Sequence, residues 1–227
     1  MASLAGQTGK YISLKESVKI SWWLDTVPGL IYNSTMNDFI FATPILYTDL
    51  KLNTKKLTSF VYDLKTKDKG RVLSNEGGWQ SNDVDLTNTI LKPLFKEISK
   101  NVEDYIQLIV FKKNLQICLS NGWFNINGYK DFNNIHYHPD CEISGVYYLQ
   151  SSKDSGGITF YHPSDVLDLF WKDNKKETFT PINSGKYTYQ PVVNRLFLFP
   201  SWLKHSVMPN MDKKLNRISF SFNIKIE

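Results

Sequence analysis

The sequence predicts a mainly β chain, a jelly roll flanked by helices, and three observations carry that expectation. From Leu115 onward about eight short strand-like runs follow one another, separated by Gly, Asn, Asp and Pro punctuation. Ahead of them, two segments space their apolar residues by three or four, the period of a helix with one buried face. Aromatic residues make up 14% of the 227 residues, a lean towards strands. At this length, with 41% apolar residues, one domain can bury a full core.

Taken in order, residues 1–35 differ in texture from the rest and read as an N-terminal arm. Residues 36–227 read as a single domain, with helices over 53–114 and the jelly-roll core over 115–227. Phe39 to Leu46 is the expected first strand. Asn53 or Thr54 caps a short helix whose stripe is Leu57, Phe60, Val61 and Leu64, ended by charge and Gly70. The run Ser74 to Ser81 is a loop by composition. A longer helix is expected from Thr87 to Lys113, because Leu91, Leu94, Ile98, Val102, Tyr105 and Ile109 share one face and Pro93 is tolerated in a first turn.

Strands are then expected at Gln116 to Ser120, Trp123 to Ile126, Asn134 to His138, Ser144 to Leu149 and Ile158 to Tyr161. Gly185 to Gln190, Arg195 to Phe199 and Arg217 to Ile226 complete the set. In the last, Ile218, Phe220, Phe222 and Ile224 alternate with Ser219, Ser221, Asn223 and Lys225, as one buried face requires.

Composition excludes some roles. The net charge of +5 comes from scattered lysines with no dense basic run, so nucleic-acid binding is not indicated. The apolar stretch from Ile20 to Ile31 is broken by Asp25 and Pro28 and is too short to span a bilayer. The two cysteines, Cys118 and Cys141, lack CxxC spacing and favour a reducing compartment, so the chain reads as cytoplasmic.

The chain has four histidines, and two of them stand in His136-Tyr137-His138-Pro139-Asp140. Side chains alternate along a strand, so His136 and His138 share a side, and Asp140 joins them if the chain stays extended. His205 answers from an apolar-flanked stretch, and Arg217 shares a strand face with Ser219. Two imidazoles and a carboxylate on one face of a mononuclear iron leave positions open for a co-substrate and dioxygen. His138-Pro139-Asp140 with His205 is the preferred set. His136 with His138 and His205 is the alternative, a three-histidine geometry that also suits zinc. An arginine fork is what a buried dicarboxylate needs at its far end.

Further stretches match in order: Trp123-Phe124-Asn125, Ser144 to Leu149, Gly156 to Phe160, Phe199 to Leu203, His205-Ser206-Val207, Pro209-Asn210 and Arg217 to Asn223. Together with the histidine cluster they resemble the Fe(II)- and 2-oxoglutarate-dependent oxygenases. The similarity is greatest to a bacterial and phage group, with a more distant likeness to prolyl hydroxylases. The resemblance implies a double-stranded β-helix, cupin-like, with iron at its mouth. It implies His138, Asp140 and His205 as metal ligands, with His136 the contender for the place of Asp140. Arg217, Ser219 and Tyr148 would hold the distal carboxylate of 2-oxoglutarate. The implied reaction is an O2-dependent hydroxylation of a protein side chain or small molecule, releasing succinate and CO2. A three-histidine metalloenzyme without 2-oxoglutarate and a non-catalytic binding module are the alternatives.

Overall fold

The computed structural model describes residues 30–32, 35–37, 40–109, 115–164, 166–167 and 172–227. The chain divides into two units, Met1–Ala42 and Thr43–Glu227. In the first, β1 (Leu30–Tyr32) and β2 (Thr35–Asn37) pair antiparallel. Most of the expected N-terminal arm lies outside the described residues, as does the end of the longer helix beyond Ile109.

The second unit opens with β3 (Leu46–Asp49), not with the strand expected at Phe39 to Leu46. The reason is local: Phe41 has a φ of 59° in a turn, and Pro44 has no N–H to give to a ladder. Helix α1 (Thr54–Lys67) begins where Asn53 accepts a hydrogen bond from the Lys56 N–H, and it closes with the Asp68 N–H on the Leu64 carbonyl. Two very short strands follow, β4 (Asn75–Glu76) and β5 (Trp79–Gln80), inside the stretch expected to be loop. Helix α2 (Lys92–Ile109) starts later than Thr87, with Pro93 in its first turn, because Asp85 and Asn88 hold the preceding residues in turns of their own.

The remaining strands are β6 (Ile117–Asn127), β7 (Phe132–His136), β8 (Ile143–Gln150), β9 (Ile158–Tyr161), β10 (Lys186–Tyr189), β11 (Arg195–Pro200), β12 (His205–Val207) and β13 (Arg217–Ile226). They form a six-stranded sheet, β3-β11-β8-β13-β6-β5, and a five-stranded sheet, β10-β9-β12-β7-β4, with antiparallel pairing throughout. This is the mainly β, double-stranded β-helix architecture with flanking helices that the sequence predicts.

Two expected strands are one. Asn121-Gly122 reads as turn punctuation but lies inside β6, because a Cβ on Gly122 would come within 2.4 Å of the Phe220 ring. Glycine there serves close packing and not a turn.

Strand alternation sorts the six-stranded sheet into two faces. Phe124, Ile126, Tyr147, Leu149, Leu196, Leu198, Phe220 and Phe222 pack against Leu57, Val61, Leu94, Ile98, Val102 and Tyr105 of the helices. Each such burial contributes roughly 1.5–3 kcal/mol. The opposite face contributes Val146, Tyr148, Phe197 and Phe199, which cluster with Ile158 and Phe160 of the other sheet. On β13 this same face carries Arg217, Ser219, Ser221 and Asn223. The polar side of the alternation therefore looks inward, between the sheets, and not out to water.

Candidate metal centre

The register of three strands assembles the site. His136 closes β7 directly opposite His205, which opens β12. His138 follows two residues after the end of β7 and is pinned by its N–H on the Ser201 carbonyl at 2.9 Å. The three imidazoles converge, with ring centroids 4.3–5.2 Å apart and one nitrogen of each within 4.8 Å of the others.

Each ring is oriented through Nδ1. His136 Nδ1 lies 2.7 Å from the Asn134 carbonyl, His205 Nδ1 lies 2.9 Å from the Leu203 carbonyl, and His138 Nδ1 lies 2.6 Å from Asn223 Oδ1. An oxygen acceptor at Nδ1 selects the tautomer with the proton there, leaving the Nε2 lone pair for another partner. Three such lone pairs in one place are a donor set for iron, nickel or zinc.

Burial is the main cause that keeps the rings neutral. It holds His136 below its ordinary value and takes His138 down to about 4. It also takes His205 well below the ordinary value, and the neighbouring His136 and His138 push the same way. The sign for stability follows. With the folded values depressed, the unfolded chain takes up protons first, so stability is full above about pH 6.5 and is lost as pH falls towards 4. The metal-free protein should lose at least about 2 kcal/mol of unfolding free energy between pH 7 and pH 4.5. Urea unfolding at stepped pH measures this, and a flat profile over that window would contradict it.

Asp140 is not part of the cluster. It is exposed, with a φ of 61°, and lines a separate open groove with Cys141 and Trp202. The expectation that it shares a side with His138 required extended geometry through Pro139. Instead the strand ends at His136 and the chain bends at Pro139 and Asp140, in a left-handed conformation that Asp tolerates. His136 stands where the carboxylate was expected.

The histidines open on a cavity of about 520 Å³ between the sheets. Its apolar floor includes Val146, Ile158 and Phe199, and its walls carry six asparagines and Gln80; among the described residues that line it there is no carboxylate, and Arg71 is the one cation. Trp123, Asn125 and Asn134 line it as well. Ser219 and Tyr148 line it too, paired across β13 and β8. Burial pushes the Tyr148 phenol up to about 12, partly offset by Arg217.

Arg217 is 1% exposed. Its Nη1 donates to the carbonyls of Ser155, Gly156 and Met208, while Nη2 is buried with no partner. Among the described residues no carboxylate pairs with it. Its hydrogen bonds go to neutral carbonyls and Asp131 acts on it only through space, so the buried guanidinium lacks a hydrogen-bonded counter-ion, a costly state that an arriving anion would relieve. Arg217 is not among the residues that line the cavity, whereas Ser219 on the same strand face is; the partnerless Nη2 is a donor left for an anion such as a carboxylate.

Residues that the sequence did not single out complete the surroundings. Beside His138, Asn223 accepts from the Ser144 hydroxyl and donates to Asn121 Oδ1, and Arg71 lies 5.5 Å over the Trp123 ring while paired with Asp83. The shared face of Arg217, Ser219, Ser221 and Asn223 was the available signal for Asn223.

Comparison with known proteins agrees with this geometry. Residues 121–223 match a family model described as "Putative 2OG-Fe(II) oxygenase". No curated protein matches the sequence. A prolyl-4-hydroxylase from Pseudomonas putida superposes with a TM-score of 0.55 at 14% identity, covering 81% of this chain and 92% of that one. HygX from Streptomyces hygroscopicus, solved with nickel and 2-oxoglutarate bound, gives a TM-score of 0.51 at 12% identity over 81% of this chain and 83% of its own. A prolyl hydroxylase from Trichoplax adhaerens, in complex with a hypoxia-inducible-factor peptide fragment, gives 0.51 at 16% identity, covering 79% and 82%. At these identities the superpositions establish the fold alone. No helix among the described residues is long and apolar enough to cross a membrane. The cluster, the cavity and the fold agree with the match of residues 121–223 to the 2OG-Fe(II) oxygenase family model.

Proposed function

We propose that this chain is an iron- and 2-oxoglutarate-dependent hydroxylase in which His136, His138 and His205 hold the metal. Arg217, Ser219 and Tyr148 seat the distal carboxylate of 2-oxoglutarate. The buried Arg217 with its free Nη2 carries this reading, because a dicarboxylate supplies the missing charge and the missing acceptor together. When bound, iron with 2-oxoglutarate and O2 supplies an oxidative decarboxylation that yields succinate, CO2 and a hydroxylated substrate.

The chain's own residues bind, orient and exclude water. Neutral imidazoles present three lone pairs, and Val146, Ile158 and Phe199 make an apolar floor, against which electrostatic contacts strengthen once a bound ligand displaces water. The amide-rich wall, with no carboxylate among its described residues, suits a polar prime substrate that carries no positive charge, on a protein side chain or a small molecule. The two free cysteines fit a reducing compartment such as the cytoplasm.

The three-histidine cluster also favours a second reading, a metalloenzyme that works without 2-oxoglutarate. Turnover separates the two. The purified protein with Fe(II), O2 and 2-oxoglutarate should release succinate slowly even without prime substrate, and faster when a true substrate is added. Metal binding with no succinate in any mixture would favour the second reading and sink the first.

A further inference from the structure

We propose that Asn223 is a positioning residue that fixes His138 in the tautomer whose Nε2 lone pair faces the metal. The polarity of its amide is set through Asn121 by Asp83. The inference rests on the assignment of His138 as a ligand.

The polarity can be followed atom by atom. The Asp83 carboxylate only accepts: Oδ1 takes the Arg71 Nη2–H at 2.6 Å, and Oδ2 lies 3.5 Å from Asn121 Nδ2. Asn121 therefore points its NH2 outward and its oxygen inward. That oxygen accepts from Asn223 Nδ2 at 3.0 Å. What remains of the Asn223 amide is Oδ1, 2.6 Å from His138 Nδ1 and 2.9 Å from the Ser144 hydroxyl. An amide oxygen cannot donate, so the imidazole carries its proton on Nδ1. Reversing the Asn223 amide would set two oxygens face to face at Asn121 and an NH2 against Nδ1. The proton would then move to Nε2, and the ligand lone pair would be lost.

His138 differs in this from its partners. His136 and His205 rest on backbone carbonyls, which the strands hold fixed. His138 alone depends on a side chain that could rotate, which is why a directional chain leading to Asp83 matters there. Partners of this kind orient ligand rings and raise their basicity, and losing one weakens metal binding 10- to 100-fold.

The test uses the full chain. Long-range 1H–15N correlation spectra of the metal-free, 15N-labelled protein report the tautomer of each histidine. Wild type should show all three as Nδ1–H. Asn223→Leu should lose that form at His138 alone, and its calorimetric Ni(II) affinity should fall 10- to 100-fold. Asn223→Asp keeps an acceptor at His138 Nδ1 and should retain the Nδ1–H tautomer, while its second oxygen meets Asn121 Oδ1 and turns that amide round. A His138 carrying Nε2–H in wild type would overturn the proposal without any variant, and so would a folded Asn223→Leu with unchanged tautomer and affinity. His138→Ala keeps the two questions apart. Retained Ni(II) affinity there refutes the ligand assignment on which the proposal rests, whereas lost affinity there with none lost in Asn223→Leu refutes only the role of Asn223.

Discussion

Arg217→Met raises the concentration of 2-oxoglutarate needed for half-saturation by about 100-fold or more and leaves Ni(II) affinity within about threefold. Hydrogen bonds to a charged group contribute roughly 1.5–3 kcal/mol each, so two from one guanidinium to one carboxylate account for that factor. The methionine also strips a donor from the carbonyls of Ser155, Gly156 and Met208, so stability falls as well. Arg217→Lys separates the effects. It restores charge without the planar fork, and it should recover part of the stability but little of the co-substrate affinity. Calorimetric titration with 2-oxoglutarate on the Ni(II)-loaded protein measures both variants. Unchanged affinity in folded Arg217→Met would remove the arginine from the site.

His136→Ala and Asp140→Ala divide in the opposite way from the simplest reading of the sequence. His136→Ala removes one of three converging lone pairs from a half-buried position and should cost at least 100-fold in metal affinity and all detectable succinate formation. Asp140→Ala touches an exposed side chain on the bend and should change metal affinity less than threefold. Its left-handed φ makes a modest loss of stability the expected cost, since alanine tolerates that conformation less well than aspartate.

That contrast marks where the sequence was legible. The alternation of β13 predicted both its buried apolar face and the shared side of Arg217 and Ser219, because strand periodicity is a local property. The stripes of α1 and α2 were readable for the same reason. The choice between Asp140 and His136 beside His138 was not, because alternation says nothing beyond the end of a strand, and no residue pattern announces that β7 stops at His136. Asn121-Gly122 reads as a turn until the Phe220 ring from another strand is placed upon it. The short strands β3 and β12 take their form from neighbours far away in sequence, as Leu46 to Asp49 do from β11. Asn223 was visible as a polar residue on a strand, but its use depends on that face looking into the cavity, which only the second sheet decides.

The most direct measurement is the anaerobic addition of Fe(II) and 2-oxoglutarate to wild type, His136→Ala and Asp140→Ala, following the visible charge-transfer absorption of the iron–2-oxoglutarate chelate. Wild type and Asp140→Ala should develop the band, and His136→Ala should not. Its absence in wild type, or its survival in His136→Ala with loss in Asp140→Ala, would contradict a site built on three histidines.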